Sequence, residues 1–323
     1  MVDFPAPKYC DTNGIRMAYY EAGEKSDKPP VILCHGFPEI AYSWRHQLPA
    51  LAAAGFHAIA PDMRGYGKTD QPDAITDYDM QHLMGDLVGL MDHLGYDKAI
   101  FCGHDWGGFV VWQMPLYHAD RVAGVIGVNT PFMPRSPMDP IELMRMAMGE
   151  DMYIVAFQEP GKADAILNAD PGKALRFFYR KSALTLKEFE ALPQDQQSLA
   201  MLVALQESPE SEWTGSPLLT EEEYQVYLEA FESKGFTGGI NWYRNFTRNW
   251  EMSEGVTDHV PMPSLMISAE DDIALRPQMA DGMEQFVPDL EKHLIPACGH
   301  WTQSEKPDEL NALMMDWLGR RFA

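Results

Sequence analysis

Five residues, Gly103-His104-Asp105-Trp106-Gly107, constrain this chain more than any other stretch, because they join two runs that can only be buried. Before them, Ala99-Ile100-Phe101-Cys102 is a short unbroken apolar run, as expected of a strand covered on both faces. After them, Phe109-Val110-Val111-Trp112 stays apolar as the start of a buried helix. Small residue, any, nucleophile, any, small residue between a strand and a helix describes a nucleophile elbow. The glycines are needed because the strand end and the helix start pack too closely for a Cβ. The apex residue is pushed out above the sheet, and here it is Asp105, where serine is the usual occupant. An alkoxide attacking an alkyl carbon leaves a stable ether; a carboxylate leaves an ester that water can cleave. Asp105 therefore points to displacement at an sp³ carbon, in two steps, through a covalent intermediate.

The partners for such chemistry follow in chain order. Asp271 and Asp272 end the apolar run Ser264–Ile267, and His300 stands in Cys298-Gly299-His300-Trp301, behind Leu294-Ile295. Nucleophile, acid, histidine is the order of the α/β-hydrolase template. His35-Gly36-Phe37-Pro38 closes the strand Val31–Cys34. That position, at Phe37, is the usual source of the second backbone N–H of an oxyanion hole, the first being that of Trp106. Other matches are decoys. Gly67-Lys68-Thr69 looks like the tail of a phosphate loop, but Asp62 stands where its first glycine belongs and would repel phosphate. Asp62 itself is expected to hold its own turn. Asn245-Phe246-Thr247 is a glycosylation sequon by pattern only.

Apolar strands are expected near Tyr9–Thr12, Arg16–Glu21, Val31–Cys34, His57–Pro61, Ala99–Cys102 and Val122–Val128. Helical patterns run between them at Ser43–Ala54, Met80–Leu94 and Gly107–Tyr117. Strands separated by helices imply crossover units and a mostly parallel sheet, with an early antiparallel pair at its edge. From residue 130 to 256 the rhythm turns helical, with Ile141–Met148, Asp164–Ala169, Leu186–Leu192 and Glu221–Ser233 between Pro, Gly and acidic turns. The alternation resumes with Leu265–Ile267, a helix at Gln278–Phe286, His293–Ile295 and Glu309–Leu318. The reading is an α/β core, residues 1–129 and 257–323, with its central sheet flanked by helices and a helical cap, 130–256, inserted between elbow and acid.

Composition narrows the partners. A net charge of −23 over 323 residues repels nucleic acid and anionic membrane surfaces. Runs such as Glu221-Glu222-Glu223 and Glu207 to Glu212 are expected to be solvated surface. No window approaches the ~18 uninterrupted apolar residues of a membrane span, and the N-terminus lacks a signal-peptide pattern, so the expected location is cytoplasmic. The four cysteines, Cys10, Cys34, Cys102 and Cys298, have no metal-like spacing and read as small buried hydrophobes.

The sequence resembles the soluble epoxide hydrolases of the α/β-hydrolase superfamily over nearly its whole length. The resemblance rests on His35-Gly36-Phe37-Pro38-Glu39, Ser43-Trp44-Arg45, Asp62-Met63-Arg64-Gly65-Tyr66-Gly67 and Gly103-His104-Asp105-Trp106-Gly107. Two mid-chain motifs, Phe157-Gln158-Glu159-Pro160-Gly161 and Asn241-Trp242-Tyr243-Arg244-Asn245, are more specific to that family; Gly299-His300-Trp301-Thr302-Gln303 and Lys306-Pro307 complete it. The resemblance implies opening of an epoxide to a vicinal diol, a detoxifying conversion, with Asp105 as nucleophile. His300 would activate the hydrolytic water, supported by Asp272, which fits the family's polar–Asp–apolar pattern better than Asp271. Tyr153 and Tyr243 match the family's donors to the epoxide oxygen, and phenols suit that task because they stay protonated at neutral pH. Phe37 and Trp106 would supply the oxyanion hole. A small-molecule epoxide and water are the only partners implied; no metal or organic cofactor has a task, and a homo-oligomer is left open. The nearest alternative is a haloalkane dehalogenase with the same Asp nucleophile. That chemistry wants a second side-chain N–H donor for the halide, commonly at the position of Phe37, which has none.

Overall fold

The structure, a computed structural model, describes residues 4–193 and 196–322. Ten strands are formed: β1 (Lys8–Thr12), β2 (Ile15–Ala22), β3 (Val31–Cys34), β4 (Ala58–Pro61), β5 (Ala99–His104), β6 (Val122–Val128), β7 (Arg180–Lys181), β8 (Ser216–Pro217), β9 (Ser264–Ala269) and β10 (Leu290–Ile295). Eight of them make one sheet in the order β1-β2-β4-β3-β5-β6-β9-β10. From β4 to β10 every neighbour is parallel; only β2 runs against its neighbours, at the expected edge. The chain thus has the α/β-hydrolase architecture expected of it.

Alternation along the central strands builds two cores. Ile32, Cys34 and Phe101 face one side of the sheet, and Val31, Leu33, Ile100 and Cys102 face the other. The first side is covered by α2 (Met80–Leu94) and α3 (Trp106–Tyr117), the second by α1 (Gln47–Ala53) and the C-terminal helix Pro307–Arg321. Local signals set the helix ends: Asp79 accepts the His82 N–H at the start of α2, and Gly95, at φ +71°, ends it in the left-handed region. All four cysteines are free and buried, as expected.

Two core helices differ from expectation. The segment Ser43–Ala54 is split into a 3₁₀ turn, Ala41–Trp44, and α1. Pro49 explains the break, since its ring would clash with the Arg45 carbonyl if one helix ran through. Gln278–Phe286 is two separate 3₁₀ turns, Pro277–Ala280 and Met283–Gln285, interrupted by Gly282 at φ +80°.

Between β6 and β9 the chain is mainly helical. The expected helices stand at Pro140–Met148, Lys162–Ala169, Leu186–Glu190 and Glu221–Lys234, the last opened by a Thr220/Glu223 capping box. Five more are added: Tyr153–Ala156, Pro171–Phe178, Met201–Glu207, Thr237–Arg244 and Phe246–Met252. Glu223 is not solvated as expected. It pairs with the nearly buried Arg45 at 2.7 Å and ties the helical insertion to the core, beside a Ser43–Tyr227 hydroxyl contact of 2.9 Å.

Candidate active site

Asp105 sits between β5 and α3 at φ +50°, ψ −122°, a conformation that L-residues rarely adopt and that aims its side chain away from the sheet. The turn closes only because its neighbours lack side chains. A Cβ on Gly107 would stand 2.0 Å from the Cys34 carbonyl oxygen, and one on Gly103 2.2 Å from the Gly107 oxygen. The two carboxylate oxygens of Asp105 have different surroundings. Oδ1 accepts the Phe37 N–H at 2.7 Å, whereas Oδ2 lies 3.9 Å from His300 Nε2. Burial pushes the Asp105 pKa up, opposed by His300, His104 and the Phe37 and Trp106 N–H groups.

His300 faces both carboxylates. Its Nδ1 is 2.9 Å from Asp272 Oδ2, which fixes the ring and leaves Nε2 toward Asp105. Burial alone would lower the His300 pKa, but Asp272 and then Asp105 overcome it and raise the value to about 9. Asp272 is fully buried, and its Oδ1 accepts the Ala274 and Leu275 N–H groups, each at 2.9 Å. Burial would raise its pKa; His300, the Asn129 amide and the Leu275 N–H instead hold it far below the usual carboxylate range. Asp271 is engaged elsewhere, accepting the Leu186 N–H of the helical insertion at 3.0 Å. The structure therefore brings Asp272, and not Asp271, to His300. Asp62 holds its own turn as expected, accepting N–H groups from Ala41 and Lys68 at 2.9 Å.

Tyr153 and Tyr243 come from separate helices of the insertion, and their rings lie 5.8 Å apart in a cavity shared with Asp105, His300 and Phe37. Gln158 braces the two helices, donating to the carbonyls of Ile154 at 2.8 Å and Tyr243 at 3.0 Å. Arg244 adds a bond to the Phe157 carbonyl at 3.0 Å. The two mid-chain motifs are thus one contact, whose product is a fixed pair of phenols above Asp105. Burial, and for both the nearby Asp105 charge, raises the two tyrosine pKa values, so each keeps its proton. The cavity has a volume of about 700 Å³ and is walled largely by apolar side chains, among them Phe177, Phe178, Leu192, Met201, Val203 and Trp213.

Comparison with known proteins gives the family. The family described as "alpha/beta hydrolase fold" matches residues 29–307. Epoxide hydrolase A of Mycobacterium tuberculosis is 44% identical over 97% of this chain and 97% of its own length. The chain belongs to the epoxide hydrolases of the α/β-hydrolase superfamily. The bifunctional epoxide hydrolase 2 of Mus musculus is 41% identical over 97% of this chain, which corresponds to 57% of the mouse protein. Among solved structures, epoxide hydrolase A from Mycobacterium thermoresistibile superimposes with a TM-score of 0.87 at 41% identity, covering 99% of both chains.

Several residues around the site of this epoxide hydrolase escape a reading of the sequence. Asn129, at φ +62°, donates to Asp272 Oδ2 at 2.7 Å. Glu39 and His104, which are quoted in two motifs without a task, form a buried pair at 2.8 Å directly behind His300. His104 Nε2 is 2.7 Å from the His300 carbonyl oxygen, and Glu39 also accepts the Gly36 N–H at 2.7 Å. Burial would raise the Glu39 pKa, but His104 and the Gly36 N–H lower it to about 2. The one available signal is that each is a polar residue closing or following a buried apolar strand.

Proposed function

We propose that this epoxide hydrolase works through an alkyl ester on Asp105. The epoxide lies in the cavity with its oxygen toward the Tyr153 and Tyr243 hydroxyls. Oδ1 of Asp105 is held by the Phe37 N–H, which leaves Oδ2 as the attacking atom. Attack forms the carbon–Oδ2 bond, breaks the ring carbon–oxygen bond, and the departing alkoxide takes a tyrosine proton. Loss of the Asp105 charge lowers the pKa of His300, which then returns a proton to the tyrosine and becomes a neutral base. Held by Asp272, it deprotonates a water that attacks Cγ of Asp105. The oxyanion develops on Oδ1, which already accepts the Phe37 N–H, with the Trp106 N–H acting on the same carboxylate. Collapse breaks the Cγ–Oδ2 bond as His300 protonates the departing oxygen; the new carboxyl group then passes the remaining water proton to His300, the diol leaves, and Asp105 and His300 return to carboxylate and imidazolium.

The observation that carries this reading is the unequal setting of the two Asp105 oxygens, at 2.7 Å from the Phe37 nitrogen and 3.9 Å from His300 Nε2, beneath a braced tyrosine pair. The apolar walls of the cavity favour a lipophilic epoxide. We further propose that residues 130–256 act as the cap of a core formed by 1–129 and 257–323. The free, buried cysteines support a reducing, cytoplasmic setting for a detoxifying conversion. The scheme is tested with His300→Gln, which alkylates Asp105 but does not release it. The intact mass rises by one substrate after mixing with a converted epoxide. If no adduct forms with an epoxide that the wild type converts, the covalent scheme is wrong.

A further inference from the structure

We infer that Asn129 is a positioning residue for the water-activating pair, and that it acts on hydrolysis of the ester rather than on its formation. The inference rests on the ester scheme above. Asn129 follows β6, whose Val128 pairs with Ile267 of β9, so its side chain stands beside the loop that carries Asp272. One amide holds three groups. Its Nδ2 donates to Asp272 Oδ2 at 2.7 Å and to the His300 carbonyl at 3.2 Å, while its Oδ1 accepts the Thr302 hydroxyl at 2.7 Å.

Asp272, which can only accept, fixes which way the amide points, and the Thr302 hydroxyl then donates to its oxygen. Oδ1 of Asp272 is filled by two backbone N–H groups, so Oδ2 is the oxygen that answers to side chains. It is shared by His300 Nδ1 and Asn129 Nδ2. Without the amide, Oδ2 has a single hydrogen-bonding partner and a greater share of its charge acts on the imidazolium. His300 then holds its proton to higher pH, so less of it is free base to take a proton from water at neutral pH. The other charged groups around the pair are Asp105, Glu39 behind His104, Asp271, and Glu305, which accepts the Gly299 and Trp301 N–H groups at 3.1 Å. None of these four donates to Oδ2 or replaces the amide.

Asn129→Gly tests this, because glycine tolerates the positive φ and removes the side chain that carries the amide. Single-turnover mixing, with intact-protein mass to follow the ester, separates the two steps. Hydrolysis is expected to slow by roughly 10–100-fold, the range for one hydrogen bond to a charged group, while alkylation stays within about threefold. The acid limb of the hydrolysis rate is expected to move to higher pH. Thr302→Val, which removes the donor to the amide oxygen and so loosens its hold, should shift both observables in the same direction by less, and serves if the glycine variant does not fold. A lower melting temperature with an unchanged ratio of the two rates and an unchanged pH limb overturns the inference. If the wild type itself forms no ester, the scheme beneath it has failed instead.

Discussion

In the proposed scheme the distance between Asp105 and His300 sets the timing of the two steps, and Asp105→Asn measures it. The carboxamide is uncharged, as the ester is, so the variant reproduces the electrostatic state of the intermediate without substrate. At 3.9 Å, two unit charges interact by about 4 kcal/mol at an effective dielectric constant of about 20. That corresponds to a fall of about three in the pKa of His300. The His300 side chain is 20% exposed, so solvent screens part of the interaction, and a fall of about one to three is expected from the wild-type value of about 9. A fall of more than about two, the upper part of that range, converts a histidine that is charged at neutral pH into one that is largely a free base once the ester exists. The assay is the pH titration of the His300 ring nitrogens by NMR in the wild type and in Asp105→Asn. If His300 titrates at the same pH in both proteins, Asp105 is not its charge partner and the timing argument collapses.

Two further outcomes follow from the geometry. Tyr153→Phe and Tyr243→Phe should each slow ring opening modestly, while the double variant loses about 10²–10⁴-fold, the usual contribution of a positioned proton donor; stopped-flow tryptophan fluorescence, with Trp106 beside the nucleophile, reads that step, and a double variant that alkylates like the wild type would reduce the tyrosines to packing. Gly107→Ala should cost about 3 kcal/mol or more in a denaturant titration, because the added Cβ meets the Cys34 backbone at 2.0 Å and neither strand nor helix can move aside; near-wild-type stability would show that the elbow is looser than drawn.

What the sequence revealed depended on how local each feature is. The sheet was legible because β3, β5 and β6 are unbroken apolar runs, and the elbow because its glycines answer to contacts within a few residues. Asp105 and His300 could be named from order and flanking residues, whereas order left Asp271 and Asp272 both open and only the family resemblance favoured Asp272. The short helices Tyr153–Ala156 and Met201–Glu207 could not, since pieces of four and seven residues owe their stability to packing rather than to propensity. The tyrosines were found through motifs, yet the reason for those motifs, the brace from Gln158 to a carbonyl 85 residues away, appears only in three dimensions. Asn129 was hidden for the same cause: its partner Asp272 lies 143 residues further along the chain.

The central claim is that water attacks the Asp105 carboxyl carbon and not the substrate. A single turnover in ¹⁸O-water, with enzyme in excess over epoxide, tests it most directly. The account predicts an unlabelled diol and one heavy oxygen in the peptide containing Asp105, because the diol takes its new oxygen from Oδ2. A diol that carries the label in that first turnover, with Asp105 unlabelled, would mean direct attack by water on the epoxide and would contradict the account.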